Sequence, residues 1–103
     1  MAAQALQTAV ELTEEMLCMA RRAEWRLVAE LEQRRRPLIR VAFDRPVPPP
    51  AAEVVAALTR RLCGLNDELI SLGERSRGAV SQALAELGRG RRAQAAYGQH
   101  GKT

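Results

Sequence analysis

Apolar residues return at every third or fourth position along most of this chain, and that period sets its elements. Between Gln4 and Arg22, Leu6, Val10, Thr13, Leu17 and Ala20 fall on one side of a helix, with Ala9 and Met16 widening the stripe. Glu11, Glu14 and Glu15 precede Arg21 and Arg22, the order that the helix dipole favours. A second helix is predicted over 24–42, with Leu27, Val28, Leu31, Leu38 and Ile39 on one face. Pro37 interrupts it. Its ring removes the bond to the carbonyl of Gln33 and costs about 3 kcal/mol in a helix interior, so the helix kinks or restarts there. The apolar side that continues through Leu38, Ile39 and Val41 favours the kink.

The stretch FDRPVPPP, residues 43–50, holds four of the five prolines and reads as an extended connector. After it, Val54, Val55, Leu58 and Leu62 predict a helix over 51–63. Gly64, Asn66 and Asp67 then suggest a break and a new N-cap, with a further helix over 66–88 carrying Leu69, Leu72, Val80, Leu84 and Leu87. Gly73 and Gly78 each weaken that helix by up to ~1 kcal/mol relative to alanine, so it is soft around 73–78. Residues 89–103 read as a basic, mobile tail. The pattern is that of an all-α domain over residues 1–98: a helical hairpin with one or two further helices, a three- to four-helix bundle.

Composition agrees with that class. Only 3% of the 103 residues are aromatic, while alanine and leucine dominate the apolar share, which suits thin helix packing better than a sheet sandwich. The formal charge is +4, and its distribution says more than its sum. Residues 1–20 contain three acids and no base, whereas 89–103 contain Arg89, Arg91, Arg92 and Lys102 with no acid. Most other arginines have a carboxylate three or four residues away, and base-stacking aromatics are lacking, which argues against a nucleic-acid-binding protein. Electrostatic contact of the tail with nucleic acid at low salt defines the alternative reading, a basic helical regulatory adaptor.

Catalytic and metal chemistry find no residues to carry them. The single histidine, His100, has no second ligand near it in sequence, and no serine or cysteine sits in a nucleophile setting. The closing Gly-Lys-Thr lacks the first glycine of a phosphate loop, since position 96 is alanine, and no helix follows it. Cys18 and Cys63 are too few and too distant for a disulfide framework or a zinc site and read as small buried hydrophobes. No cofactor is expected. The N-terminus has no basic segment before an apolar run, and no stretch reaches the ~18 apolar residues of a membrane span, so a cytoplasmic location is expected.

Two side chains stand out against the pattern. Trp25, one of only three aromatics, lies among arginines and glutamates at the margin of the second helix's apolar face. There it braces the reversal between helices one and two, burying roughly 150–250 Å², or offers an edge to a partner. Arg35 falls inside the apolar side of the same helix, where an unpaired guanidinium is costly. It either snorkels to the edge or pairs with a carboxylate on a neighbouring helix.

The segment LCMARRAEWRLVAELEQRRRPLI resembles the flagellar export chaperone family FliT, through Arg21, Arg22, Glu24, Trp25, Leu27, Val28, Leu31, Glu32, Arg35, Leu38 and Ile39. The segment LNDELISLGERSRGAVSQALAELGRGRRAQAAYG is similar to that family's long C-terminal helix and its tyrosine-containing end, and a proline-containing loop separates the two as it does there. The FlgN-like chaperones, usually longer, are the close rival. One departure is the run Arg91-Arg92-Ala93-Gln94 ahead of Tyr97, where the family often has asparagines. The resemblance implies a non-enzymatic chaperone that binds the C-terminal segment of the filament-cap protein FliD. It would deliver FliD to an export apparatus including FlhA and FliI and, in some members, contact the regulator FlhDC. It further implies that the C-terminal helix covers the binding surface until displaced and that Tyr97 docks on the export gate. On this basis Trp25, Val28, Leu31, Leu69, Leu72, Val80, Leu84 and Leu87 are the expected partner-binding residues. Spare apolar surface leaves a homodimer open.

Overall fold

The computed structural model describes the backbone of residues 1–100 and the side chains of residues 1–89. Three helices account for nearly all of it: α1 (Ala2–Arg21), α2 (Trp25–Phe43) and α3 (Ala52–His100), with a single 3-10 turn at Pro49–Ala51 leading into α3. The described residues contain no strand. The chain divides into two compact units, Met1–Gly73 and a second that begins at Glu74.

The first unit is a three-helix bundle organised around α1. Nine residues of α1 are buried, from Ala5 and Leu6 to Ala20, and at 100° per residue they cover an arc of about 160°, enough to face two neighbours at once. Every α1 position of the predicted stripe lies in this core. The other two helices each offer a narrower seam. On α2 the seam is Val28, Leu31, Arg35, Leu38 and Ala42; on α3 it is Val55, Leu58, Leu62, Leu65, Leu69 and Leu72. Both seams alternate steps of three and four residues, the spacing of knobs-into-holes packing. The α1–α2 reversal makes those helices antiparallel. Glu14 pairs with Arg61 and Arg21 with Glu68, each at 3.4 Å and each across 47 residues, so α3 runs parallel to α1.

The reversal itself is a Schellman turn. The Glu24 N–H donates to the Met19 carbonyl and the Ala23 N–H to the Ala20 carbonyl, both at 2.9 Å, which satisfies the last carbonyls of α1. Ala23 takes the left-handed conformation that the motif requires, φ 58°, at a position usually held by glycine.

Two features depart from the sequence pattern, and at Pro37 the helix runs on rather than restarting. The break expected at residues 64–67 is absent: α3 is one helix through that stretch and continues to His100 rather than ending near residue 88. Leu62, Leu65 and Leu69 are all buried on one seam across the putative break, and that burial outweighs the cost of a helical glycine at position 64. Asn66 caps nothing and bonds across the bundle instead. The second helix neither ends nor restarts at Pro37. Pro37 and Gln33 are both exposed, so the carbonyl freed by the proline belongs to the water-facing side of α2. Finally, Cys18 and Cys63 are exposed, not buried. Both fit the helical pattern but point away from its seams.

Candidate partner-binding surface

At the middle of the three-helix unit the apolar seams are interrupted by one polar layer. The Arg35 guanidinium is buried, and its Nη1 donates to Thr13 Oγ1 on α1 at 3.1 Å and to Asn66 Oδ1 on α3 at 3.0 Å. Its Nη2 pairs with Glu32 on its own helix. Thr13, fully buried, spends its hydroxyl proton on the Ala9 carbonyl at 2.7 Å, which leaves the oxygen free to accept from Arg35. Glu32 also receives Arg36 Nε at 3.4 Å. Arg35 thus neither snorkels out nor reaches a carboxylate on another helix: the carboxylate is local, and the neighbouring helices supply a hydroxyl and an amide. Its Nε has no hydrogen-bond partner among the described residues. A buried charge in a heptad-like core is tolerated only where its partners line up, so this layer fixes the register of all three helices. The identity of Arg35 was visible in the sequence; Thr13 and Asn66 as its partners were not, because that pairing exists only once the helices align.

The expected partner-binding residues fall into three groups. Val28 and Leu69 belong to the core of the three-helix unit. Trp25, Leu31 and Leu72 are half-buried and pack against that core. Trp25 opens α2 directly after the Schellman turn, and its indole Nε1 is buried without a hydrogen-bond partner among the described residues. Val80, Leu84 and Leu87, in the second unit, are 56%, 63% and 58% exposed. They follow one another at i, i+4 and i+7 and form an apolar stripe on one face of distal α3. The Tyr97 side chain lies outside the described residues.

Charge separates the two units as well. Residues 1–73 hold ten basic and ten acidic side chains, whereas residues 74–103 hold six and two, so the whole formal charge of +4 resides in the second unit. In the first unit Arg21, Arg26, Arg35, Arg36 and Arg61 are each paired with a glutamate. Among the described residues Arg75, Arg77 and Arg89 form no ion pair.

At the opposite end of the first unit from the Schellman turn, the start of α1, the end of α2 and the proline-rich connector enclose an apolar hollow of about 610 Å³. Met1, Ala3, Val41, Val47 and Pro48 form much of its wall, with Asp44 and Arg45 its charged side chains. No signal in the sequence marked it. Among the described residues there is no cluster of histidine, cysteine, aspartate or glutamate able to hold a metal ion, and no helix long and apolar enough to cross a membrane.

A bundle with a polar register layer, together with a separate helical segment whose leucines face outward, defines a helical protein built to contact other proteins. A family model described as Flagellar protein FliT matches residues 3–99. The chain belongs to the FliT family, flagellar export chaperones and not enzymes. It matches no curated protein and no solved structure at a significant level.

Proposed function

We propose that this chain is a cytoplasmic export chaperone that binds the C-terminal segment of the filament-cap protein FliD and hands it to the export apparatus, with FlhA and FliI as the contacts there and FlhDC as a further partner in regulation. In this reading the distal part of α3 is the displaceable element beside the client-binding surface, and FliD moves it on arrival. Trp25, Leu31 and Leu72 line the margin of that surface, and Tyr97 docks on the export gate.

The observation that carries the reading is the stripe of Val80, Leu84 and Leu87, each more than half exposed. Three large aliphatic side chains at i, i+4 and i+7 are the anchor pattern of a helix that packs on another protein surface. Single exposed leucines are ordinary, but three in one stripe on one helix call for an occupant. Family membership over residues 3–99 supports a flagellar client.

Co-purification with FliD tests it, using the full chain and a chain that ends at Gly78. The full chain retains FliD in half-molar salt, because apolar packing survives screening. The shortened chain binds FliD with altered strength, since it lacks the stripe. Equal retention by the two chains removes the role given to distal α3, and loss of FliD from both removes the client.

A further inference from the structure

The stripe on distal α3 is bracketed by positive charge in its own register. Arg77 stands three residues before Val80, and Arg91, whose side chain lies outside the described residues, stands four after Leu87, so in sequence Arg77, Val80, Leu84, Leu87 and Arg91 follow steps of three and four throughout. The three apolar residues are exposed, and Arg77 is exposed and unpaired among the described residues. The two arginines are separated by ~21 Å along a helix axis, about four turns. No acidic residue occupies this register, and the unit as a whole carries the chain's entire net charge.

From this complementarity we infer that the occupant of the stripe is an acidic amphipathic helix, one with apolar side chains at its centre and carboxylates about four turns apart at its two ends. The inference rests on the chaperone reading only in taking the occupant to be a client segment; the charge requirement comes from the stripe itself. An apolar centre with charged ends divides the work. The aliphatic contact supplies the attraction, and the terminal charges set orientation and reject partners of the wrong sign. A helix shifted by one turn would place its carboxylates against leucines, so the ends also fix register. An anionic lipid surface is the less suitable occupant. Among the described residues of this segment three large apolar side chains face outward, a small apolar face for insertion into a bilayer surface.

The test titrates the full chain with three synthetic helical peptides that share one apolar face and differ only at two positions 14 residues apart, filled by glutamate, glutamine or lysine. Vesicles of phosphatidylglycerol form a fourth arm. The glutamate peptide binds about tenfold more tightly than the lysine peptide at low salt, with glutamine between them, and Arg77→Glu reduces or inverts that order. Equal affinity for the three peptides, no binding to any, or binding to the vesicles in preference to the glutamate peptide overturns the inference. FliD co-purification serves as the independent control. If FliD is retained while the peptides show no charge order, the charge requirement fails and the chaperone reading stands. If the peptides show the order while FliD is not retained, the reverse holds.

Discussion

Arg35 and Asn66, 31 residues apart in sequence, meet at 3.0 Å in the middle of the bundle and tie α2 to α3, while the same guanidinium group reaches Thr13 on α1. One side chain therefore holds three helices in register. The two ion pairs between α1 and α3, Glu14–Arg61 and Arg21–Glu68, are about half exposed and contribute at most about 1 kcal/mol each. The polar layer accordingly dominates the specificity of the packing, and the leucine seams dominate its strength.

Arg35→Ala lowers the unfolding free energy by about 2–3 kcal/mol, because Asn66 and Glu32 lose their common donor, while Asn66→Ala costs about 1 kcal/mol. The double variant loses less than the two single costs combined, since the residues share one bond. Arg35→Met, which fills the site without a charge, stays within about 1 kcal/mol of the parent in stability yet relaxes the helix register. Urea denaturation gives the energies, and the spread of amide resonances reports the loss of register. Additive single and double effects would show that Arg35 and Asn66 are not coupled.

The Schellman turn makes a separate claim. Ala23 at φ 58° carries the cost of a side chain in left-handed backbone, so Ala23→Gly raises stability by up to about 1 kcal/mol, reduced by the extra freedom glycine gives the unfolded chain. Thermal unfolding reads this directly. A lower melting temperature for the glycine variant would mean that the turn does not hold that conformation in solution.

Trp25 follows this same turn with a half-buried ring packed on the core, whose N–H finds no partner among the described residues. Trp25→Phe removes that unsatisfied donor and most of the ring's polarity while keeping the apolar body, so stability changes by less than about 1 kcal/mol. Trp25→Ala costs about 2–3 kcal/mol through lost burial. Calorimetry separates the two. Should the phenylalanine variant keep its stability and lose FliD, the indole edge is a client contact as well as a brace.

Gly73 and Gly78 sit inside α3, and a methyl group added at either would meet nothing within 4 Å among the described residues apart from the adjoining helix backbone. Packing therefore does not demand glycine at these positions, and their physical effect is on the ease of opening the helix. Gly73→Ala and Gly78→Ala each stabilise the helix by up to ~1 kcal/mol. Together they raise helicity in circular dichroism and slow the conversion of the free chaperone to its client-bound form. Unchanged binding kinetics would show that client entry does not require opening at these sites.

Much of the fold was legible because α1 and its hairpin obey a single period: Leu6, Val10, Thr13, Leu17 and Ala20 are buried as the spacing requires. Where local signals misled, tertiary packing overrode them. Gly64 and Asn66 resemble a helix break, but the seam through Leu62, Leu65 and Leu69 carries the helix across, and Asn66 serves Arg35. Pro37 is absorbed because it faces water. The cysteines followed the composition rule for small hydrophobes, yet their place on the helix puts them outside. Of the expected contact residues, the pattern alone could not separate Val28 and Leu69, which fill the core, from Val80, Leu84 and Leu87, which face outward. All five are apolar residues at helical spacing, and only the arrangement of three helices decides which of them find a neighbour.

Hydrogen exchange of the full chain, free and with the FliD C-terminal segment, tests the displaceable distal helix most directly. In the free protein the amides of residues 79–89 exchange faster than those of any other helical stretch, and added FliD segment changes their protection while residues 5–20 stay as they were. Protection that is uniform along α3 and unaltered by the segment would contradict the account.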